Sequence, residues 1–247
     1  MHNLPLDNLT GRADLHMHTN LSDGAATVSE MLHHVEHHTA LDVIAITDHD
    51  RIDASLWAYE HRARYRFEIV PGLEVTTRAG HVLALWVTQL IPPHMTLVET
   101  VNAIHDLGGI AVIAHPFEPF IDPTAAWRYL SHPSVLRDSG IDAIEIFNAG
   151  SFTPGSNALA KLVLSGCGAA LLGNSDAHMP DSIGSGFTRF RGKTAADLRD
   201  SIAQSCTAAE GVRWPITTYF KLLHTAIQWK RNRSSRARLP SARPTTP

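Results

Sequence analysis

Leu41-Asp42-Val43-Ile44-Ala45-Ile46-Thr47 runs without a break into Asp48-His49-Asp50. A short apolar run rich in β-branched residues predicts a buried strand of the kind found in parallel sheets covered by helices. Here the strand ends in three ionisable side chains, and the same pattern recurs along the chain. Ala13-Asp14-Leu15 leads into His16-Met17-His18. Phe67 to Gly72 leads into Leu73-Glu74-Val75-Thr76-Thr77. Ile110-Ala111-Val112-Ile113-Ala114 ends in His115-Pro116, and Ala169 to Gly173 ends in Asn174-Ser175-Asp176-Ala177-His178. His81 opens a further apolar run, Val82 to Val87, and Asp142 to Phe147 reads as another strand.

Helical patterns fill the gaps. Thr27, with Glu30 three residues on, is a capping box that opens a helix reaching about His38. Further helices are predicted over 54–66, 96–107 (stopped by Gly108-Gly109), 156–164 and 194–204, with an amphipathic helix from Tyr219 to Trp229. The alternation predicts an α/β fold, a mostly parallel sheet with helices outside it. Polar clusters follow the carboxyl ends of nearly every strand. That favours a closed or distorted barrel over an open sheet, because in barrels this face carries the active site.

The 247 residues, 44% hydrophobic and 18% charged, suit one globular domain with an ordinary core, placed over residues 1–229. Between Lys230 and Arg243 every charged residue is basic, and 230–247 is expected to be a disordered tail. The net charge of −3 therefore conceals an acidic body, ill suited to coating duplex DNA. No apolar run is long enough to span a membrane. No signal peptide is evident, and Cys167 and Cys206 do not make a disulfide framework, so the cytoplasm is the expected location.

Histidine is in excess, 16 residues, and position gives the excess its meaning. A strand has period two, so His16 and His18 project to one face, and Asp176 and His178 repeat that geometry. Asp23 in Ser22-Asp23-Gly24, His49, Glu74, His81 and His115 reach the same mouth. Nine donors placed this regularly are hard to produce by packing alone, since buried charge without pairing or metal is costly. Imidazole and carboxylate together suit zinc, iron and manganese.

In chain order, Asp14 to Thr19 with Ser22-Asp23-Gly24, Ile46 to Asp50, Pro71 to Val75 with Gly80-His81, Ala114-His115-Pro116, and Ser175-Asp176-Ala177-His178 resemble the motifs of the PHP (polymerase and histidinol phosphatase) family. The resemblance spans roughly residues 12 to 205 and implies a distorted seven-stranded (β/α)7 barrel with two or three divalent ions, manganese, zinc or iron. It implies that His16, His18, Glu74 and Asp176 hold one metal, that Glu74 bridges to a second completed by His81 and His115, and that Asp23, His49 and His178 hold a third. It further implies a metal-dependent phosphoesterase in which a metal-bridging hydroxide attacks phosphorus, with Asp176, His178 and His49 beside the reacting groups. A small phosphomonoester or a nucleotide is the expected substrate. Two other readings stay open, a hydrolase of carboxylic or carbamic esters and a non-catalytic docking module stabilised by metal. Several nucleotide-cleaving members carry a long insertion before the Ala-His-Pro motif. Here only 34 positions separate His81 from His115, which implies a more open site.

Other candidates have plainer readings. Asp48 and Asp50 are expected to orient ligands or cap a helix. Asn148 and Asn174 suit either substrate contact or loop turning. His33, His34, His37 and His38 read as a solvated helix face, and Met17 as barrel core.

Overall fold

The computed structural model describes residues 8–231. In chain order its strands are β1 (Gly11–Asp14), β2 (Val43–Ala45), β3 (Glu68–Val70), β4 (Gly72–Thr77), β5 (Gly80–Leu85), β6 (Ile110–Ile113), β7 (Ala143–Asn148), β8 (Ala170–Asn174), β9 (Gly186–Phe190) and β10 (Ala208–Gly211). The helices are α1 (Val28–His38), α2 (Asp53–Glu60), α3 (Leu97–Asp106), α4 (Pro123–Ser131), α5 (Ser134–Asp138), α6 (Ser156–Leu164), α7 (Ala195–Ala203) and α8 (Ile216–Arg231). Local sequence accounts for several starts. Thr27, Thr96 and Thr194 each close a capping box at the head of α1, α3 and α7, a device in which an N-cap side chain contributes about 1 kcal/mol. Asp122 caps α4, with Pro123 as its first residue.

The strands form two mixed five-stranded sheets, β10-β9-β1-β2-β3 and β4-β5-β6-β7-β8. β1, β2 and β3 are mutually parallel, as are β6, β7 and β8. β5 runs antiparallel to both its neighbours, and β9 to both β1 and β10. The α/β class is as expected. The single seven-stranded barrel is not: among the described residues no continuous ladder closes the two sheets. They meet at isolated parallel bridges, Met17 with Ala177 and His49 with Glu74. The physical reason lies beside each bridge. Asp176 (φ 53°) precedes Ala177 and Asp50 (φ 50°) follows His49. A left-handed residue ends extended pairing at once.

Side chains alternate across the strands, as period two requires. Val43, Ala45, Leu83, Leu85, Val112 and Leu172 face one another between the sheets. Val82, Ala84 and Ile113 face outward under the helices that cover the second sheet. Ile44 and Ile46 face outward under α1 and α2. Met17 is fully buried, but it joins this outer cluster rather than the core between the sheets. Tyr219 to Trp229 lies within α8. Cys167 and Cys206 are both free. No helix among the described residues is long and apolar enough to cross a membrane. The basic tail expected over 230–247 lies, from residue 232 on, outside the described residues.

Gly186 shows how tightly β9 lies against β8. A Cβ at this position would sit 2.1 Å from the Asn174 carbonyl oxygen, a contact that backbone on both sides cannot relieve. Gly186→Ala is expected to destabilise the protein by about 1–3 kcal/mol or more, read as a lower midpoint in urea unfolding with the slope unchanged.

Candidate metal centre

Glu74 stands at the middle of the site, fully buried. Its Oε2 lies 3.1 Å from His16 Nε2 and 3.3 Å from both His18 Nε2 and His49 Nδ1. Its Oε1 lies 3.1 Å from His81 Nδ1 and from His115 Nε2. Asp176 Oδ1 is 3.1 Å from His18 Nε2 and 3.3 Å from His16 Nε2. On the outer side Asp23 Oδ2 is 3.1 Å from His178 Nε2 and 3.7 Å from His49 Nε2. All nine residues singled out in the sequence thus converge, in four overlapping groups: His18, Asp23, His49 and His178; His16, Glu74 and His115; His16, His18 and Asp176; and His49, Glu74 and His81.

The topology explains the convergence. His16, His18, His49, His115, Asp176 and His178 all follow strands that point one way. β5 runs the other way, so His81, at its start, reaches the same mouth as Glu74 in β4, and Thr76 pairs with His81 across the ladder. The backbone is strained at the site, with His115 at φ 27° and Asp176 at φ 53°. Positions of this kind cost about 1–3 kcal/mol each and persist only where surrounding contacts enforce them. Asp48 holds the loop that carries Asp23, accepting from Thr19 N (2.7 Å), Thr19 Oγ1 (2.6 Å) and Ser22 Oγ (2.5 Å). Gly24 packs so closely there that a Cβ would meet the His18 carbonyl oxygen at 2.3 Å. Asp50 Oδ1 accepts from Thr76 N at 2.8 Å, tying this loop to β4.

A second layer of groups holds the donors. Glu145, on β7, places Oε1 3.1 Å from His16 Nδ1, and its Oε2 accepts from the His115 backbone at 2.8 Å. Asn174 Nδ2 donates to Glu145 Oε1 (2.9 Å), while Asn148 Nδ2 is shared between Glu145 Oε2 (2.9 Å) and Asp176 Oδ2 (3.0 Å). Both asparagines are buried, so they are struts of the site rather than loop-turning residues. Asp14, also buried, accepts from Ser175 N and Gly184 N and braces the approach to Asp176. Glu145 was not among the candidates from the sequence. Its signal is a lone acid in the otherwise apolar strand Ala143-Ile144-Glu145-Ile146-Phe147. His33, His34, His37 and His38 stand apart on α1, and three of them are exposed.

Charge in the cluster is balanced only by mutual contact. Burial alone would push the Glu74 carboxyl up, yet His49, His16 and His81 hold it well below the ordinary carboxylate range. The same competition, led against burial by His16, keeps Asp176 low. Burial pulls the His178 imidazole down, but the Asp23 carboxylate outweighs it and raises the pKa to about 9. His16 and His115 are likewise raised, against their burial, by the carboxylates around them. Burial pushes Asp14 up to about 6.

The donors fit divalent ions. Two ligand atoms, each about 2.1 Å from one ion at tetrahedral or octahedral angles, lie about 3.0–3.4 Å apart. The closest nitrogen–oxygen distances here, 3.1–3.3 Å, fall in that interval. The Nδ1 atoms of His18 and His81 are buried without a hydrogen-bond partner, as expected of nitrogens kept for a cation. Fold and site together define an α/β protein with a buried N/O cluster able to bind metal. The PHP domain model matches residues 14–121 and the PHP-associated model residues 154–206, and the chain belongs to the PHP family. An uncharacterized protein of Methanocaldococcus jannaschii is 28% identical over 149 residues, covering 56% of this chain and 82% of that protein. A 5'-3' exoribonuclease of Haemophilus influenzae is 25% identical over 108 residues, 42% of this chain but 39% of that enzyme. Among solved structures, a two-domain protein from Bacteroides vulgatus containing a predicted PHP-like metal-dependent phosphoesterase superposes with a TM-score of 0.66 at 18% identity, over 88% of this chain and 69% of the other.

Two outcomes follow from the geometry. An imidazole that carries a proton must release it to coordinate, and His16, His115 and His178 are held above their ordinary value. Metal affinity is therefore expected to fall as pH is lowered from 8 to 6, measured by equilibrium dialysis with elemental analysis; pH-independent loading would contradict it. Glu145→Ala removes the partner of His16 Nδ1 and of the His115 backbone. It is expected to weaken metal binding about 10–100-fold, read as metal content after dialysis against a graded chelator.

Proposed function

We propose that this protein is a metal-dependent phosphoesterase that hydrolyses a small phosphomonoester or a nucleotide. The observation that carries the reading is Glu74, whose two oxygens each face a separate set of imidazoles within 3.3 Å, the arrangement expected of a carboxylate shared between adjacent cations. On this reading His16, His18, Glu74 and Asp176 hold one ion, His81 and His115 complete a second with Glu74, and Asp23, His49 and His178 hold a third. Manganese, zinc or iron would satisfy such donors. When bound, adjacent dications act as Lewis acids, lowering the pKa of water and neutralising phosphate oxygens.

The chain's own residues supply position and access. His16, His18 and Glu74 are sealed from solvent, whereas His49 and His178 are 29% and 19% exposed. The substrate phosphate therefore approaches from the side of His49 and His178. His178 is fixed at both ring nitrogens, Nδ1 donating to the Asp176 carbonyl at 2.8 Å and Nε2 to Asp23, so its orientation is set before substrate arrives, and loss of the Nε2 proton would leave that nitrogen for an ion. Asp176 is clamped by His18 and Asn148, which holds its oxygens in place without a mobile side chain. The partial likeness to an exoribonuclease supports the nucleotide arm of the reading.

The test is phosphate release from a panel of sugar phosphates, histidinol phosphate and nucleotide mono- and bisphosphates, with added manganese and with chelator. Turnover is expected to require metal and to fall in Asp176→Asn by more than the roughly 100-fold typical of losing an outer partner. No release from any member by metal-loaded protein would overturn the reading. It would shift the assignment to carboxylic or carbamic ester hydrolysis, or to a docking role.

A further inference from the structure

A ladder of aromatic rings leads away from the metal centre. The Trp214 ring lies 6.2 Å from His178, centre to centre. Tyr219 lies 5.5 Å from Trp214, Phe152 5.5 Å from Tyr219, and Phe120 5.5 Å from Phe152. Each segment that carries a ring leaves the sheets at the mouth. Phe120 follows β6 and Phe152 follows β7, while Trp214 and Tyr219 follow β10, which runs parallel to β1 because both are antiparallel to β9. Trp214 is buried at the inner end, but Phe152 is 58% and Phe120 75% exposed. Apolar rings open to solvent and continuous with a polar site mark a surface that meets a ligand.

The ladder is built rather than incidental. Glu118, buried and three residues beyond His115, accepts from Ser151 Oγ (2.7 Å) and Thr153 N (3.1 Å), and also from Thr153 Oγ1. It thereby pins both neighbours of Phe152. The Tyr219 hydroxyl donates to the Ser151 carbonyl at 3.1 Å, and the exposed Arg213 guanidinium donates to the same oxygen. Trp214 donates through its backbone to Ala149 O (2.9 Å) and through its indole to Ser185 Oγ (3.1 Å). A buried carboxylate that holds a loop so that its one large ring faces water serves no need of the core. Phe120 meets Phe152, and Phe152 meets Tyr219, edge to face at 85° and 81°, so successive rings turn their faces in different directions and suit flat ligands taken one at a time better than one broad apolar contact. Arg213 adds a cation beside them.

We infer that Trp214, Tyr219, Phe152 and Phe120 form a stacking track for the bases of a single-stranded oligonucleotide whose terminal phosphate enters the metal centre. Base–aromatic stacking is tolerant of sequence because every base has a π face, so the track selects for nucleic acid without selecting a motif. This rests on the phosphoesterase reading and narrows its substrate from any phosphomonoester to a base-bearing chain.

Two dye-labelled, 5'-phosphorylated probes test it: tetrathymidylate, and a tetramer of abasic sugars with the same backbone. Affinities are measured by fluorescence anisotropy with metal-loaded protein at fixed salt, and phosphate release from monoesters is followed in parallel. The wild-type protein is expected to bind tetrathymidylate about tenfold more tightly than the abasic tetramer. Phe152→Ala and Phe120→Ala should each lose most of that preference, Phe152→Trp should keep it, and Val98→Ala, an exposed apolar position on α3, should leave it unchanged. Equal affinity for the two tetramers, or a preference that neither alanine variant moves, overturns the track even if monoesters are hydrolysed. Equal affinity together with a concentration-dependent dimer that both alanines dissolve would assign the rings to a second copy of this chain. Intact base preference with no phosphate release from any monoester would instead overturn the phosphoesterase reading and leave the track standing.

Discussion

A carboxylate with no access to water cannot stand alone, and Glu74 has none. Its burial is tolerable only because five imidazole nitrogens lie within 3.3 Å of its two oxygens. Those imidazoles come from segments far apart in the chain, at positions 16, 18, 49, 81 and 115. The electrostatic need of one side chain therefore ties strand ends from both sheets to a single point, the carboxyl ends of β1, β2 and β6 and the amino end of the reversed β5. Removing any one partner leaves the remainder undercompensated, which is why the cluster behaves as a unit rather than as a sum of pairs. Divalent ions satisfy the same need with fixed charge in place of shared protons, and His18 Nδ1, buried without a hydrogen bond, is a nitrogen left over for one.

The sheets give way to the site where the two conflict. Regular pairing would carry the ladder through residues 16–18 and 175–178, but extended backbone cannot present donors from one segment in several directions. The chain resolves this with left-handed residues at Asp50, His115 and Asp176 and with ladders reduced to single bridges at the seams. The strain falls on residues braced from behind. Glu145 holds the His115 backbone, Asp50 is hydrogen-bonded to β4, and Asp14 holds Ser175 beside Asp176. The price of an irregular mouth is thus carried by a regular floor of apolar strands.

Much of this was legible in the sequence, for a definite reason. The donors sit immediately after apolar runs, so periodicity located the strands and the residues that ended them were the site. The capping box at Thr27 marked a helix start because the cap is a local interaction. What escaped was non-local. Nothing within Gly80 to Leu85 states that the strand runs against its neighbours; that depends on the tight turn after Thr77 pairing it back on β4. Gly186-Phe187-Thr188-Arg189-Phe190 alternates clearly but is assigned no element from sequence alone, because its place in a sheet depends on antiparallel pairing with β1 and β10, segments outside its own neighbourhood. Glu145 was passed over because a single acid in an apolar strand has meaning only once the imidazole it faces is known. The seven-stranded barrel failed for the same reason: closure depends on whether seams hold a ladder, and backbone angles at two aspartates decide that.

Exposure grades across the site, and the gradient bears on how it would work. His16, His18 and Glu74 are sealed, His81 and Asp176 are slightly open, His178 and His49 more so, and Asp23 is half exposed. Electrostatic attraction weakens as water enters, so on the proposed reading a cation at Asp23, His49 and His178 would be bound less firmly than one against Glu74. The inner positions would then suit resident ions, and the outer one an ion that arrives or leaves with substrate. That outer side is also where Trp214 begins the aromatic ladder. His49, His178 and Asp23 are open to solvent on this side, so on the proposed reading a chain too long for an enclosed pocket could lie across the rim. Binding strength on the proposed reading is therefore divided between two surfaces of opposite character. A charged interior grips one phosphate, and a row of rings, held from beneath by Glu118, receives what is attached to it.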